Sequence, residues 1–155
     1  MRSVRRVATH EVLVRMLCEK NHSKSGRSLF PSMRELLCFC AVLGFQVDRR
    51  IRLEGKTLEV DARIWERSDT AVDLVYLLAL AGTRDINLLH VDRDDDALTV
   101  FEEYANGGLE VLSGWFAANA GDTDGDVTII NGFRALGLLG NAPPPVEAAT
   151  IQVTF

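Results

Sequence analysis

The chain is short of the residues that most often carry chemistry: its 155 residues include only three cysteines and three histidines. An odd cysteine count without a secretory leader excludes a disulfide framework and points to reduced, mostly buried thiols at Cys18, Cys38 and Cys40. His10, His22 and His90 stand at no spacing that would complete a zinc site with those thiols. No Ser/His/Asp set, nucleotide loop or HExxH occurs, so neither catalysis nor a cofactor or metal is expected. Proline is nearly confined to one place; apart from Pro31, all of it lies in Pro143-Pro144-Pro145. No apolar run approaches the roughly 18 residues of a membrane helix. The basic start Met1-Arg2-Ser3-Val4-Arg5-Arg6 is followed by a segment broken by His10, Glu11 and Arg15, unlike a secretory signal. The expectation is a cytoplasmic protein without membrane contact.

What is present is an ordinary globular composition, 47% apolar and 25% charged, in a length that buries a core without staples. Periodicity predicts a mainly α fold: a single compact domain of about five helices over residues 1–140, with a minor β-ribbon near residues 50–65. A Pro-rich linker and strand-like tail are expected over 141–155, where Ile151 to Phe155 alternate. A first helix runs from Thr9 to Lys20 on the stripe Val12, Leu13, Met16, Leu17. The polar stretch Asn21–Ser28 is expected to be a mobile loop. Ser32 and Glu35 form a capping box, each satisfying a backbone N–H of the other, and Gly44 is placed to end that helix. Alternation around Gly55 predicts the ribbon. Ser68 caps a helix over Ala71–Ala81 that is apolar almost all round, hence the expected central helix, with Gly82 ending it. A last helix is expected over Val127–Leu139.

The most informative stretch is Phe101 to Leu112. Leu98, Phe101, Tyr104/Ala105, Leu109 and Leu112 keep helical spacing straight through Gly107-Gly108. Each helix-interior glycine costs up to about 1 kcal/mol relative to alanine. Two of them call for close backbone approach, a kink, or a break between two helices.

Charge is segregated. Residues 1–56 hold twelve Lys/Arg against five Asp/Glu, and residues 57–155 hold five against seventeen. Either one face meets a polyanion or acidic partner, or the halves attract each other within the fold or across a homo-oligomer interface. The runs Asp122-Thr123-Asp124-Gly125-Asp126 and Asp92–Asp96 resemble calcium loops but miss the required glycine, so helix N-terminal stabilisation is the better reading. Glu102 and Glu103 diverge by about 100° on a helix and read as exposed glutamates, not an acid–base pair. Lys24, Arg27, Arg49, Arg50 and Arg52 are candidate phosphate contacts on nucleic acid; the alternative is salt bridging to the carboxylates. Glu102, Glu103 and Glu110 are the corresponding candidates for docking a basic protein partner.

Two segments carry a family resemblance. Ser28-Leu29-Phe30-Pro31-Ser32-Met33-Arg34-Glu35-Leu36-Leu37, with Ala41 to Phe45 and Arg49-Arg50, forms the first; Phe101-Glu102-Glu103-Tyr104-Ala105-Asn106-Gly107-Gly108-Leu109 forms the second. Together they resemble the small Dnd system-associated proteins, encoded beside bacterial DNA phosphorothioation genes and the restriction genes that depend on them. The resemblance implies an antiphage-defence context, defence-system protein partners and an accessory role. It supplies no catalytic residues. Two functions follow as expectations: DNA contact through the basic half, or an adaptor or oligomeric scaffold docking a basic subunit through the acidic half.

Overall fold

The computed structural model describes residues 1–140; the expected linker and tail over 141–155 lie outside them. In chain order the elements are β1 (Val4–Val7), α1 (Glu11–Glu19), α2 (Met33–Gln46), β2 (Thr57–Val60), α3 (Ala62–Trp65), α4 (Asp69–Thr83), α5 (Asp94–Ala118) and α6 (Asp126–Ala135). Short 3-10 turns cover Ala8–His10, Ile86–Leu89 and Val91–Arg93. The fold is mainly α with a small antiparallel sheet, as the periodicity indicated. Among the described residues there are six helices, the one-turn α3 being the addition. The sheet differs from the expected ribbon in its partner: β2 pairs with β1, from Val4–Val60 to Val7–Thr57. Residues 50–54 form no strand because they are laid across α5.

The central helix is α5, not α4. Every residue from Val100 to Leu109 is buried, glutamates and asparagine included, whereas α4 buries only Ala71, Val75, Leu78 and Ala79. Hydrophobicity alone misidentified the centre because the acidic residues of α5 are buried through partners, and the apolar excess of α4 is left facing outward. Phe101 packs edge-on against the fully buried Trp65 of α3, with centroids 5.3 Å apart. Phe39 of α2 bridges Phe30 at 5.2 Å and Phe133 of α6 at 5.8 Å. No helix among the described residues is long and apolar enough to cross a membrane.

Gly44 and Gly82 do not end their helices. Each lies inside its helix, which finishes on a non-glycine residue in the left-handed region: Asp48 (φ 52°) just past α2 and Arg84 (φ 56°) past α4. The glycines are used for contact instead. A Cβ on Gly44 would collide with the Tyr104 carbonyl oxygen, one on Gly108 with the Cys40 carbonyl, and one on Gly82 with the Tyr104 ring. The backbones of α2 and α5 therefore touch where Cys40 and Gly44 meet Tyr104 and Gly108. At the start of α2, Ser32 Oγ accepts from the Glu35 backbone N–H, and its hydroxyl meets the Glu35 carboxylate. That carboxylate takes the hydroxyl in place of the backbone N–H of Ser32, so the capping box is closed on one side only.

Gly114 supplies an internal control, since a Cβ there meets nothing within 4 Å. Gly44→Ala and Gly108→Ala are each expected to lower unfolding free energy in urea by at least about 2 kcal/mol, through overpacking against backbone. Gly114→Ala is expected to be neutral or to gain up to about 1 kcal/mol from helix propensity.

Candidate functional site

The segment after α2 is fixed to α5 by backbone contacts. Asp48 reverses the chain, and the Arg49 N–H donates to the Gly44 carbonyl at 2.7 Å. A Cβ on Gly107 would occupy the place of the Arg49 carbonyl. Ile51 N–H donates to the Glu103 carbonyl at 3.0 Å, and Asn106 Nδ2 donates to the carbonyls of Ile51 (3.3 Å) and Arg52 (3.2 Å). Gly107 and Asn106 of the second signature thus form the seat on which residues 49–52 lie, while Gly108 serves the contact with α2.

The arginines of this segment then meet acids of α5. Arg50 Nε is 2.6 Å from Glu103 Oε2, and its guanidinium sits 5.9 Å from the Tyr104 ring centroid. Arg49 pairs with Glu110 at 2.5 Å. Arg5 of β1 and Arg2 just before it converge on Glu102, whose side chain is fully buried; Arg5 donates both its guanidinium (2.9 Å) and its backbone N–H (2.7 Å). Arg2 also lies 3.4 Å from Asp95, and the Met1 amino group 3.6 Å from Asp94. Glu102 and Glu103 are therefore buried, contrary to the exposed reading, because β1 and the 49–52 segment bring arginines to them. Glu110 is exposed. Of the basic residues in 1–56, Arg2, Arg5, Arg49 and Arg50 thus meet acids of the other half of the sequence.

The remaining candidates separate. Lys24 and Arg27 are exposed on the Asn21–Ser28 loop, which is anchored rather than free. The His22 N–H donates to the Arg27 carbonyl at 2.8 Å, Ser23 N–H to Asp124 at 2.9 Å, and Lys20 Nζ to the Thr123 carbonyl at 2.5 Å. Arg52 lies at the other end of α2, a helix of 14 residues and so about 20 Å long. The five basic candidates do not form one face. Arg52 lines an open groove of about 410 Å³ with Val7, His10, Glu54, Asn106 and Glu110. Burial pushes His10 below its ordinary value, Glu110 opposing. Burial also raises the Cys18 and Cys38 thiols to about 11 and pushes Cys40 well above its ordinary value, so these thiols carry little nucleophile at neutral pH. Asp122 accepts from the Gly125 N–H (3.1 Å) and from the N–H and hydroxyl of Thr128 (both 2.8 Å), bracing the start of α6 as a carboxylate in that position should.

One surface escaped the sequence reading. Leu77 on α4 is 61% exposed, and Ile86, Leu89 and Val91 project from the turns that follow, with Leu88 buried as their anchor. The sequence signal was available: Asp69, Asp73, Leu77 and Ala81 recur at i, i+4 and mark an outward stripe on a helix that otherwise reads as apolar all round.

Residues 3–134 match the model of the family described as DNA sulphur modification system-associated protein 4, and the chain belongs to that family. No curated protein and no solved structure matches it.

The second signature is thereby accounted for residue by residue as the seat of the basic segment and the seam between α2 and α5. Glu102→Gln is expected to destabilise the protein by about 3 kcal/mol in urea unfolding, because two arginines lose a buried carboxylate. Glu110→Gln, at an exposed pair, is expected to cost under about 1 kcal/mol.

Proposed function

We propose that this chain is a non-catalytic accessory subunit of a DNA sulphur-modification system, acting by holding a protein partner rather than by gripping DNA. Its family is associated with such systems, which supports an accessory role. The observation that carries the adaptor reading is the internal use of the basic half: Arg2, Arg5, Arg49 and Arg50 are all paired with acids of the 94–110 region. The α4 side carries exposed aspartates beside apolar residues, a combination that repels a phosphate backbone and suits a basic protein. Of the acids first considered for partner contact, Glu110 is the one presented to solvent; Glu102 and Glu103 contribute by holding the fold.

A second reading keeps DNA contact, favoured by one observation: Lys24, Arg27 and Arg52 are exposed and have no carboxylate partner among the described residues. Phosphate contacts from these cations would be sequence-independent and salt-sensitive. Such contacts would come from two separate loops.

Titration of the purified protein against duplexes with and without phosphorothioate, at low and physiological salt, separates the readings. The adaptor reading expects no saturable binding at physiological salt, together with saturable calorimetric binding to a purified modification or restriction protein of the same system. Binding that falls steeply with salt and is abolished in the Lys24→Glu/Arg27→Glu variant would replace it with the DNA reading. A preference for the sulphur duplex would make the protein a reader of the modification.

A further inference from the structure

An acidic-rimmed apolar groove lies on the outer side of α4. Asp73, Tyr76, Leu77, Leu80 and Leu89 line about 330 Å³ of open space. Beyond Leu89 the apolar surface continues onto Ile86, 71% exposed, and Val91, 91% exposed. Apolar side chains this exposed and this close together mark an interaction surface more often than chance exposure. Around them aspartates predominate, and Asp69 and Asp73 are exposed without an ion-pair partner among the described residues. From residue 69 to residue 96 there are seven aspartates and two arginines. Arg93 is taken up by Asp85 (2.9 Å) and Asp96 (2.8 Å), and Arg84 stands past the C-terminal end of α4. Asp69 and Asp73 lie one turn apart on the outward stripe and carry the free charge of the rim; the Tyr76 hydroxyl donates to Asp94, which with Asp95 is already met by the Met1 amino group and Arg2.

We infer that this groove docks an amphipathic helix of a partner protein, with leucine-like residues on its buried face and lysine or arginine along its flank. The inference rests on the adaptor reading and gives it a surface and a partner chemistry. Leu77 with Leu80 on one wall and Leu89 on the other leaves a trough that accepts side chains at i, i+3, i+4 and i+7 of an incoming helix. The aspartates set its orientation, since its cations belong beside Asp69 and Asp73, away from Arg84. A second copy of this chain fits poorly: a two-fold contact through the groove brings Asp73 toward its own copy, and like charges so placed oppose association. The basic residues near the N-terminus of the chain are no better placed, because Arg2 and Arg5 already hold Glu102.

The test uses two synthetic helical peptides of roughly 18 residues, long enough to hold a helix. They share one leucine face and carry either lysine or glutamate on the flanks. Each is titrated into the isotope-labelled protein and followed by amide NMR shifts, with sedimentation equilibrium in parallel. The lysine peptide is expected to bind at least tenfold more tightly than the glutamate peptide, shifting amides of α4 and of residues 86–91. Leu77→Glu/Leu89→Glu is expected to weaken it at least tenfold with the amide spectrum of the core unchanged. Asp73→Lys is expected to weaken it less and to flatten its salt dependence. Equal affinity for both peptides, shifts centred elsewhere, or self-association through α4 would overturn the inference. If the peptides fail while a purified system protein still binds, the groove is refuted and the adaptor reading stands. If no system protein binds either, both fall.

Discussion

The close contact between α2 and α5 is the constraint from which the rest of the molecule follows. Gly44 and Gly108 let the two backbones meet, and Gly82 lets the ring of Tyr104 fill the space between α5 and α4. Phe45 packs edge-on to the same ring at 5.5 Å. With α2 this close, the chain leaving it has to run over α5, and Gly107 and Asn106 receive it. The Glu103 carbonyl, a group inside a helix, accepts the Ile51 N–H as a result. Side chains larger than hydrogen at these positions would separate the helices and remove the surface on which residues 49–52 lie.

Once that surface exists, charge finishes the arrangement. Carboxylates on the central helix of a small domain are tolerated only with partners, since an unpaired buried charge costs several kcal/mol. Glu102 finds them on β1 and Glu103 on the segment after α2. The two ion pairs thus tie the N-terminal strand and the post-α2 segment to one helix, linking elements far apart in sequence. The same pairing takes Arg2, Arg5 and Arg50 out of any phosphate-binding surface. On α4, Leu77 faces outward on the same stripe as Asp69 and Asp73.

Much of this was legible in the sequence. The uninterrupted period through Gly107-Gly108 offered close backbone approach as one of its readings, beside a kink or a break, and the Ser32 cap located the start of α2. The separation of charge between the halves already included internal pairing as one of its readings. What was illegible depended on tertiary partners. Gly44 and Gly82 look like helix terminators because glycine favours that role, and only the neighbouring helix shows that they are contact points. Glu102 and Glu103 look exposed because lone glutamates almost always are. The apolar richness of α4 looked like centrality, and turned out to be a surface. The Asn21–Ser28 loop looked free because its anchors, Asp124 and the Thr123 carbonyl, lie a hundred residues away.

The central claim is that arginines of the basic half are held by carboxylates of α5 inside the fold. A double-mutant cycle on Arg50 and Glu103, built from Arg50→Met, Glu103→Gln and the pair, tests it most directly, because neither residue shares its partner with another arginine or carboxylate among the described residues. Urea unfolding of the four proteins is predicted to give a coupling energy of about 1 kcal/mol or more, as contacting charges in a partly buried site do. A coupling indistinguishable from zero would contradict it, and would return Arg50 to the surface as a free cation.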